Sequence, residues 1–120
     1  MDVRTLTPSE VAAHLAHLAR ELDSLVDAIG DAEKVAVHAR EDFTMAFARA
    51  YLTGEGSIEA RKHKATTDTH DARLAAELAE QTVKGIRRQI DSVKIRIDVG
   101  RSLGAALRAE ASLAGSGYQP

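Results

Sequence analysis

Residues 50–65 read AYLTGEGSIEARKHKA and join two long runs of alanine and charged residues. Gly54 and Gly56 are followed at once by Ser57, a residue type that is favoured at the N-cap of a helix. A phosphate-binding loop would need a strand before the glycines and a Lys-Ser or Lys-Thr pair after them, and the sequence has neither. The stretch therefore predicts the corner of a helical hairpin. We expect Gly54 to end the first helix in a left-handed conformation and Gly56 to help reverse the chain.

The composition favours long helices around a thin core. The chain has 120 residues, 3% aromatic residues, no tryptophan and no cysteine. Its two prolines, Pro8 and Pro120, stand near the ends and leave the interior free for unbroken helices. No stretch alternates like a β-strand. The absence of cysteine excludes disulfides and thiolate chemistry.

The first run has the pattern of a coiled-coil helix. Thr7, Pro8 and Glu10 form a helix start, with Thr7 as the cap and Glu10 three residues later, as in a capping box. From there apolar residues recur at alternating spacings of four and three, which is a heptad pattern. The seam positions are Val11, Leu15, Leu18, Leu22, Leu25, Ile29, Ala32, Ala36, Ala39, Phe43, Ala46 and Ala50.

A second heptad seam follows Ser57, with Lys62 and Thr69 as its polar exceptions. Its positions are Ile58, Lys62, Ala65, Thr69, Ala72, Ala76, Ala79, Val83, Ile86, Ile90, Val93 and Ile97. Folding the chain back at Gly54 opposes residues whose numbers add to 108, such as Leu18 and Ile90. Large side chains then meet far from the corner and alanines meet near it. This agreement favours an antiparallel hairpin in that register.

We therefore expect one all-α domain, a long antiparallel coiled-coil helical hairpin, over residues 1–114. Helix one should span about 8–53, the turn 54–57 and helix two about 58–98. Gly100 and Gly104 leave two alternatives for residues 99–114, which either extend helix two or fold back as a short third helix. Residues 115–120 are expected to form a disordered tail.

Apolar residues beside the first seam predict self-association. They widen the apolar face beyond what a two-helix seam buries, and they are Ala12, Ala19, Val26, Ala28 and Val35. We expect a homodimer that forms a four-helix bundle. The alternative is that the third helix covers this face.

The distribution of charge and the hydropathy of the chain limit the classes of partner that we expect. Residues 1–55 carry 5 Lys or Arg against 10 Asp or Glu, and residues 56–120 carry 11 against 8. The two halves either pair with each other or leave a basic binding surface on the second half. The N-terminal sequence MDVRTLTPSE has no apolar segment, and no apolar run is long enough to span a membrane. We expect a cytoplasmic protein without a membrane partner.

The basic residues at the corner are the best candidates for a binding site. Arg49, Arg61, Lys62 and Lys64 gather there, and the register above places Arg49 opposite Arg61. The repulsion between two such cations is relieved when an anion binds between them. Phe47 and Tyr51 lie one helical turn apart nearby, which suits base stacking beside phosphate contacts. Further along, Arg87 and Arg88 belong to a basic stripe that extends this candidate surface for nucleic acid or another anionic partner.

No arrangement of residues predicts catalysis, a cofactor or a metal site. His14 and His17 are three residues apart but have no third ligand on the same turn. Glu41 with Asp42, and Asp68 with Asp71, lack the inward Glu-x-x-His pattern of di-iron bundles. We therefore expect a protein that is not an enzyme.

The corner sequence and the alanine-rich, then basic, helix after it resemble small uncharacterised helical-hairpin proteins of actinobacterial phages and prophages. The resemblance covers roughly residues 46–76: an aromatic-Leu corner, a Gly-Ser turn and an Ala-Arg-Lys run. It implies a gene near phage recombination or replication genes, and hence the host cell cytoplasm as the location. The leading hypothesis is a non-enzymatic coiled-coil accessory protein of phage DNA metabolism that binds nucleic acid or a DNA-processing protein. The alternatives are an inhibitor or adaptor that acts on a host protein, and a structural scaffold.

Overall fold

The computed structural model describes residues 6–117, and every regular element among them is a helix. Helix α1 spans Pro8–Thr53, α2 spans Ile58–Asp68 and α3 spans His70–Gly117. The predicted all-α helical hairpin is confirmed. In the part of the chain that the structure describes, no helix combines the length and the apolar character needed to cross a membrane.

Both predicted helix starts are capped by side chains. The Thr7 hydroxyl oxygen accepts a hydrogen bond from the Glu10 amide at 3.1 Å, and the Thr7 carbonyl accepts one from Val11 at 3.1 Å. Ser57 caps α2 in an extended conformation, and its hydroxyl oxygen accepts from the Ala60 amide at 3.2 Å. These bonds satisfy amides at the helix start that have no partner within the helix.

The two glycines at the corner do not have the predicted backbone conformations. Gly56 takes the positive φ, at 97°, so the expectation of a left-handed Gly54 is wrong. The Gly54 amide instead donates to the Tyr51 carbonyl at 3.3 Å, which tightens the last turn of α1. A side chain at Gly54 would be tight, because a β-carbon there would lie 3.3 Å from both the Ala50 carbonyl oxygen and Cγ of Arg61.

The second half is not one unbroken helix, because it is interrupted at Thr69. This residue has φ −108° and ψ 15° and separates α2 from α3. Its hydroxyl donates to the Ala65 carbonyl at 2.6 Å, and its amide donates to the same oxygen at 3.1 Å. A hydroxyl that competes for a helical carbonyl in this way bends a helix. The Arg73 amide still bonds to the Thr69 carbonyl at 3.0 Å, so the interruption lasts one residue.

Residues 99–114 continue the helix without a fold-back. α3 passes through Gly100 and Gly104 and reaches Gly117. Residues 115–117 of the predicted disordered tail therefore belong to the helix, and residues 118–120 lie outside the described part of the chain.

The chain packs as two compact units. In unit 1 the start of α1, up to Val26, pairs with α3 from Arg88 onward. Its buried apolar side chains are Leu6, Val11, Leu18, Ile90 and Val93. A β-carbon on Gly100 would lie 2.7 Å from Cδ2 of Leu15, and one on Gly104 would lie 3.4 Å from Cγ1 of Val11.

These contacts correct the predicted register. The residue numbers of each opposed pair add to 115, so the helices of unit 1 are antiparallel but shifted by one heptad from the predicted 108. The same sum places Leu18 opposite Ile97, and not in a layer with Ile90. The seam residues are those predicted; their partners lie seven residues further along.

Unit 2 spans Asp27–Arg87 and contains the corner. Its buried seam is made of small residues: Ala36, Ala65, Thr69, Ala76 and Val83. The prediction of a thin, alanine-lined seam beside the corner is confirmed. Ile58, however, was expected to oppose Ala50 and is 64% exposed. The Gly54–Arg61 contact follows the shifted register, which leaves the first turn of α2 outside the seam.

Candidate anion-binding and docking surfaces

The corner residues of the predicted binding site have different environments. Arg49 and Lys62 are exposed, and among the described residues neither makes an ion pair. Lys64 is already paired: its Nζ lies 2.8 Å from Oδ2 of Asp68, one turn further along α2. That hydrogen bond raises the pKa of the Lys64 ammonium. Arg49 and Lys62 therefore remain available to an anionic partner, whereas Lys64 would have to leave Asp68 to bind one.

Arg61 has a structural role at the corner. Its aliphatic stem lies over Gly54, and its Nε is buried without a hydrogen-bond partner. The predicted pairing of Arg61 with Arg49 is wrong, since the heptad shift places Gly54 opposite Arg61 instead. A buried unpaired N–H is unfavourable, so this guanidinium has unused hydrogen-bonding capacity beside the corner.

The aromatic residues at the corner are packed rather than presented for stacking. Phe47 contacts Phe43 edge to face, with ring centroids 6.2 Å apart, and both are half-buried. The Arg40 guanidinium lies 5.5 Å from the centre of the Phe43 ring, within cation–π range. Tyr51 is half-buried as well. Phe47 is engaged within the fold, and base stacking by Tyr51 stays a prediction.

Sequence reasoning missed an apolar patch at the same end of unit 2. Leu52 is 75% exposed, Ile58 64% and Met45 45%. Met45 and Leu52 are seven residues apart and so share one outward face of α1. The heptad pattern of the seam does not include these residues, although their own spacing of seven is visible in the sequence.

Of the other two predicted binding residues, Arg87 lies away from the corner within unit 2, and Arg88 belongs to unit 1. Nη2 of Arg87 lies 3.6 Å from Oε1 of Glu33 in unit 2, so Arg87 is paired within the hairpin. Arg88 belongs to unit 1 and is exposed, without an ion pair in the described residues. About 35 Å along the helices separates Lys64 from Arg87. Within unit 2, Arg87 is therefore separate from the cations of the corner.

Unit 1 carries a cationic row on α3. Lys94, Arg101 and Arg108 recur every seven residues, so they share one side of the helix. All three are exposed, and in the described part of the chain none lies within 4.0 Å of a carboxylate oxygen. Asp91 and Asp98 stand on neighbouring positions, so the excess of positive charge is greatest at the Arg101–Arg108 end.

A recess of about 120 Å³ lies at this end of the cationic row. It is lined by Pro8, Val11, Ala12, Leu15, Arg101, Gly104 and Arg108. Pro8 is the first residue of α1, and the N-terminus of a helix carries partial positive charge. Two arginines and a helix start thus border one small recess. Arg108 was not among the residues predicted to bind an anionic partner, although its spacing of seven from Arg101 can be read in the sequence.

A larger groove of about 620 Å³ lies between α1 and α3 within unit 2; we refer to it as the α1–α3 groove. It is lined by Glu33, Ala36, Val37, Arg40, Glu41, Glu80, Val83, Lys84 and Arg87. Arg40 and Glu80 form a two-pronged ion pair across it, with Nε–Oε1 2.8 Å and Nη2–Oε2 2.9 Å. That pairing raises the pKa of Arg40 and lowers the pKa of Glu80.

Within the described residues, no group of three or more His, Asp or Glu side chains is placed to hold a metal ion. His14 and His17 therefore form no metal cluster there. Compared with known proteins, the chain matches no family model, no curated protein sequence and no solved structure. The fold alone defines its class: an all-α antiparallel helical hairpin with charged flanks.

Proposed function

We propose that this hairpin is a non-enzymatic accessory protein that binds nucleic acid through its phosphate groups. The primary contact is the cationic row Lys94, Arg101 and Arg108 of unit 1, with Arg49 and Lys62 of the corner as further cations. The support is that, among the described residues, no carboxylate lies within ion-pair distance of these five side chains.

The recess beside Arg101 and Arg108 is the observation that carries this proposal. Arginine suits phosphate because its planar guanidinium can donate two parallel hydrogen bonds to one anion. The recess has room for one phosphate-sized group, and the start of α1 adds partial positive charge. Contacts of this kind position a protein on nucleic acid without reading its sequence.

The proposed setting is phage DNA metabolism, where recombination or replication would require such an accessory. This setting comes from the resemblance over residues 46–76, and it includes a DNA-processing protein as a partner of the same complex. The host cell cytoplasm is the corresponding location.

Fluorescence anisotropy with labelled single- and double-stranded DNA, over a range of salt concentrations, tests the proposal. Neutralising the row with Arg101→Gln and Arg108→Gln should weaken binding and lower the salt slope by about 2, since each phosphate contact contributes about 1. The matched control is Arg20→Gln with Lys34→Gln, which removes the same charge from exposed positions of α1.

Three outcomes are informative. Loss of binding only in the α3 variant supports the proposal. An equal loss in the control would mean that net charge, and not the recess, governs binding. Failure of the wild-type protein to bind DNA even at low salt would contradict nucleic-acid binding altogether.

A second candidate function, capture of a host protein, is favoured by the exposed apolar patch Met45, Leu52 and Ile58. Exposed aliphatic side chains grouped at one end of a fold suit protein docking. Leu52→Glu with Ile58→Glu should abolish crosslinks to host proteins in cell extract and leave DNA binding unchanged. Crosslinks that persist in this variant would contradict a role of the patch in protein docking.

A further inference from the structure

The rim of the α1–α3 groove has a regular charge pattern. On α1 Glu33 is followed seven residues later by Arg40, and on α3 Glu80 is followed seven residues later by Arg87. Because the helices of this unit are antiparallel, Glu33 meets Arg87 at 3.6 Å and Arg40 meets Glu80 at 2.8 Å. The four charges therefore alternate in sign around the corners of a rectangle.

The centre of this rectangle is apolar. Ala36 and Val83 are buried and form the floor, and Val37 stands beside them with 67% of its surface exposed. A valine this exposed at the middle of a charged rim is poorly placed for water. Burying Val37 is favourable if the occupant of the groove also offers charged partners to the four charges at the rim.

A second copy of this chain meets that requirement. Two identical faces can pack about a twofold axis that runs either along the helices or across them. With the axis along the helices, Glu33 of one copy lies over Arg87 of the other, and Arg40 lies over Glu80. With the axis across them, Glu33 lies over Arg40. Unlike charges meet at these four corners in both cases. Glu41 and Lys84 also line the groove, and with the axis across the helices Lys84, midway between Glu80 and Arg87, would face its own copy. The axis along the helices avoids that contact.

We propose that the α1–α3 groove is the interface of a homodimer, in which two hairpins pack these faces into a four-helix bundle with Val37 at the centre. The part of α1 in this unit is about 40 Å long and the helix pair about 20 Å wide, giving a face of about 800 Å². This equals the area that each partner buries in an interface of standard size.

The opposite flank of the same unit is less suited to self-docking. It carries Val35, 60% exposed, which lies two residues from Val37 and hence about 200° around the helix. Asp42 and Asp68 are exposed on that flank. Asp68 is already paired with Lys64 on its own helix, and among the described residues this flank has no cross-helix ion pairs that alternate in sign like those around the groove. The self-complementary charge pattern of its rim therefore favours the groove.

Sedimentation equilibrium with matched variants tests the assignment. Val37→Asp should weaken dimerisation at least tenfold, since it places a carboxylate at the centre of the interface. Val37→Gln, which adds no charge, should act in the same direction. The control Val35→Asp introduces the same group on the opposite flank and should leave the dimer unchanged. Circular dichroism of each variant verifies that the exposed substitutions leave the helices formed.

A charge swap gives a second, independent measurement. The variant Glu33→Arg, Arg40→Glu, Glu80→Arg and Arg87→Glu keeps every ion pair within the hairpin and keeps the alternating pattern. It should form homodimers. It should not exchange subunits with the wild-type chain, because like charges then meet at all four corners.

The outcomes separate the alternatives. A wild-type protein that remains a monomer up to its solubility limit would overturn the proposal. So would dissociation by Val35→Asp with no effect of Val37→Asp, or free exchange between wild-type and swapped chains. None of these results depends on whether the protein binds nucleic acid.

Discussion

Cδ2 of Leu15 lies 2.7 Å from the position that a β-carbon on Gly100 would occupy, so Leu15 packs directly on the glycine backbone of α3. The absence of a side chain lets the two helices of unit 1 approach closely at this layer. Gly100 and Gly104 fall on seam positions, and both are buried. Glycines that looked like helix breakers in the sequence are therefore contact residues of a continuous helix.

The register of unit 1 can be tested by engineered crosslinks, because the native chain has no cysteine. Leu15→Cys with Gly100→Cys should form an intramolecular disulfide under mild oxidation, since these positions are opposed. Leu15→Cys with Val93→Cys, the pair opposed in the predicted register, should remain reduced because it is offset by seven residues, about 10 Å of helix. Intact-mass analysis and non-reducing electrophoresis distinguish the two, and crosslinking of the second pair alone would refute the observed register.

The heptad pattern could not choose between these registers. It repeats every seven residues, so a shift of one heptad again opposes seam with seam. The predicted turn at 54–57 agrees with the structure, but the predicted pairing placed Ile58 in the seam opposite Ala50, whereas the structure leaves Ile58 exposed. The seam positions and helix caps followed from local rules, because spacing and capping are encoded within a few residues. Partners across the seam depend on the corner geometry, which those rules do not determine.

For the candidate sites, too, the sequence predicts which residues are present but not which of them are paired. Exposed cations such as Lys62 were identifiable from composition and spacing alone. The pairing of Arg87 with Glu33, and of Lys64 with Asp68, changes which cations are available to a partner. The first of these pairs spans the two helices, so it follows from the register. It could not be recognised while the register was wrong.

Two glycines should respond in opposite ways to the same substitution. Gly30 lies within α1, and a β-carbon added there would meet no side chain within 4 Å, so Gly30→Ala should raise the free energy of unfolding by about 1 kcal/mol. Gly56 has φ 97°, so Gly56→Ala should lower it by about 1 kcal/mol or more. Urea denaturation followed by circular dichroism measures both. Equal effects would contradict the corner conformation.

Two valines of α3 in unit 1 offer a matched pair for the core. Val93 is fully buried and Val99 is 62% exposed. Val93→Ala should cost about 2 kcal/mol of unfolding free energy, from the lost methyl groups and the cavity they leave. Val99→Ala should be neutral or slightly stabilising, because alanine is the better helix former. A loss of stability at Val99 as large as that at Val93 would show that the outer face of α3 is buried in solution.

Two replacements of Arg61 should distinguish the contribution of its aliphatic stem to stability from that of its guanidinium. Arg61→Met keeps an aliphatic stem over Gly54 and removes the buried, unpaired Nε, so the free energy of unfolding should rise by about 1 kcal/mol. Arg61→Ala removes the stem as well and should lower stability relative to Arg61→Met. Chemical denaturation of the two variants beside the wild type gives the comparison. A less stable Met variant would mean that the guanidinium has a partner in solution.

The Arg40–Glu80 pair makes stability depend on pH. The hydrogen bond from Arg40 holds the pKa of the Glu80 carboxyl below its usual value near 4.5, the value that it regains on unfolding. Between these two pKa values the unfolded chain binds more protons than the folded one, so stability rises with pH in that window. The contribution of this pair is fully present above about pH 5 and is lost as the pH falls through the folded pKa.

Glu80→Gln should flatten that part of the profile of stability against pH, measured by thermal denaturation from acid to neutral pH. Glu110→Gln, at an exposed position of α3 without an ion pair among the described residues, is the control. If the Glu80 and Glu110 variants lose stability with the same slope below pH 5 as the wild type, the bond across the groove contributes nothing to folding in solution.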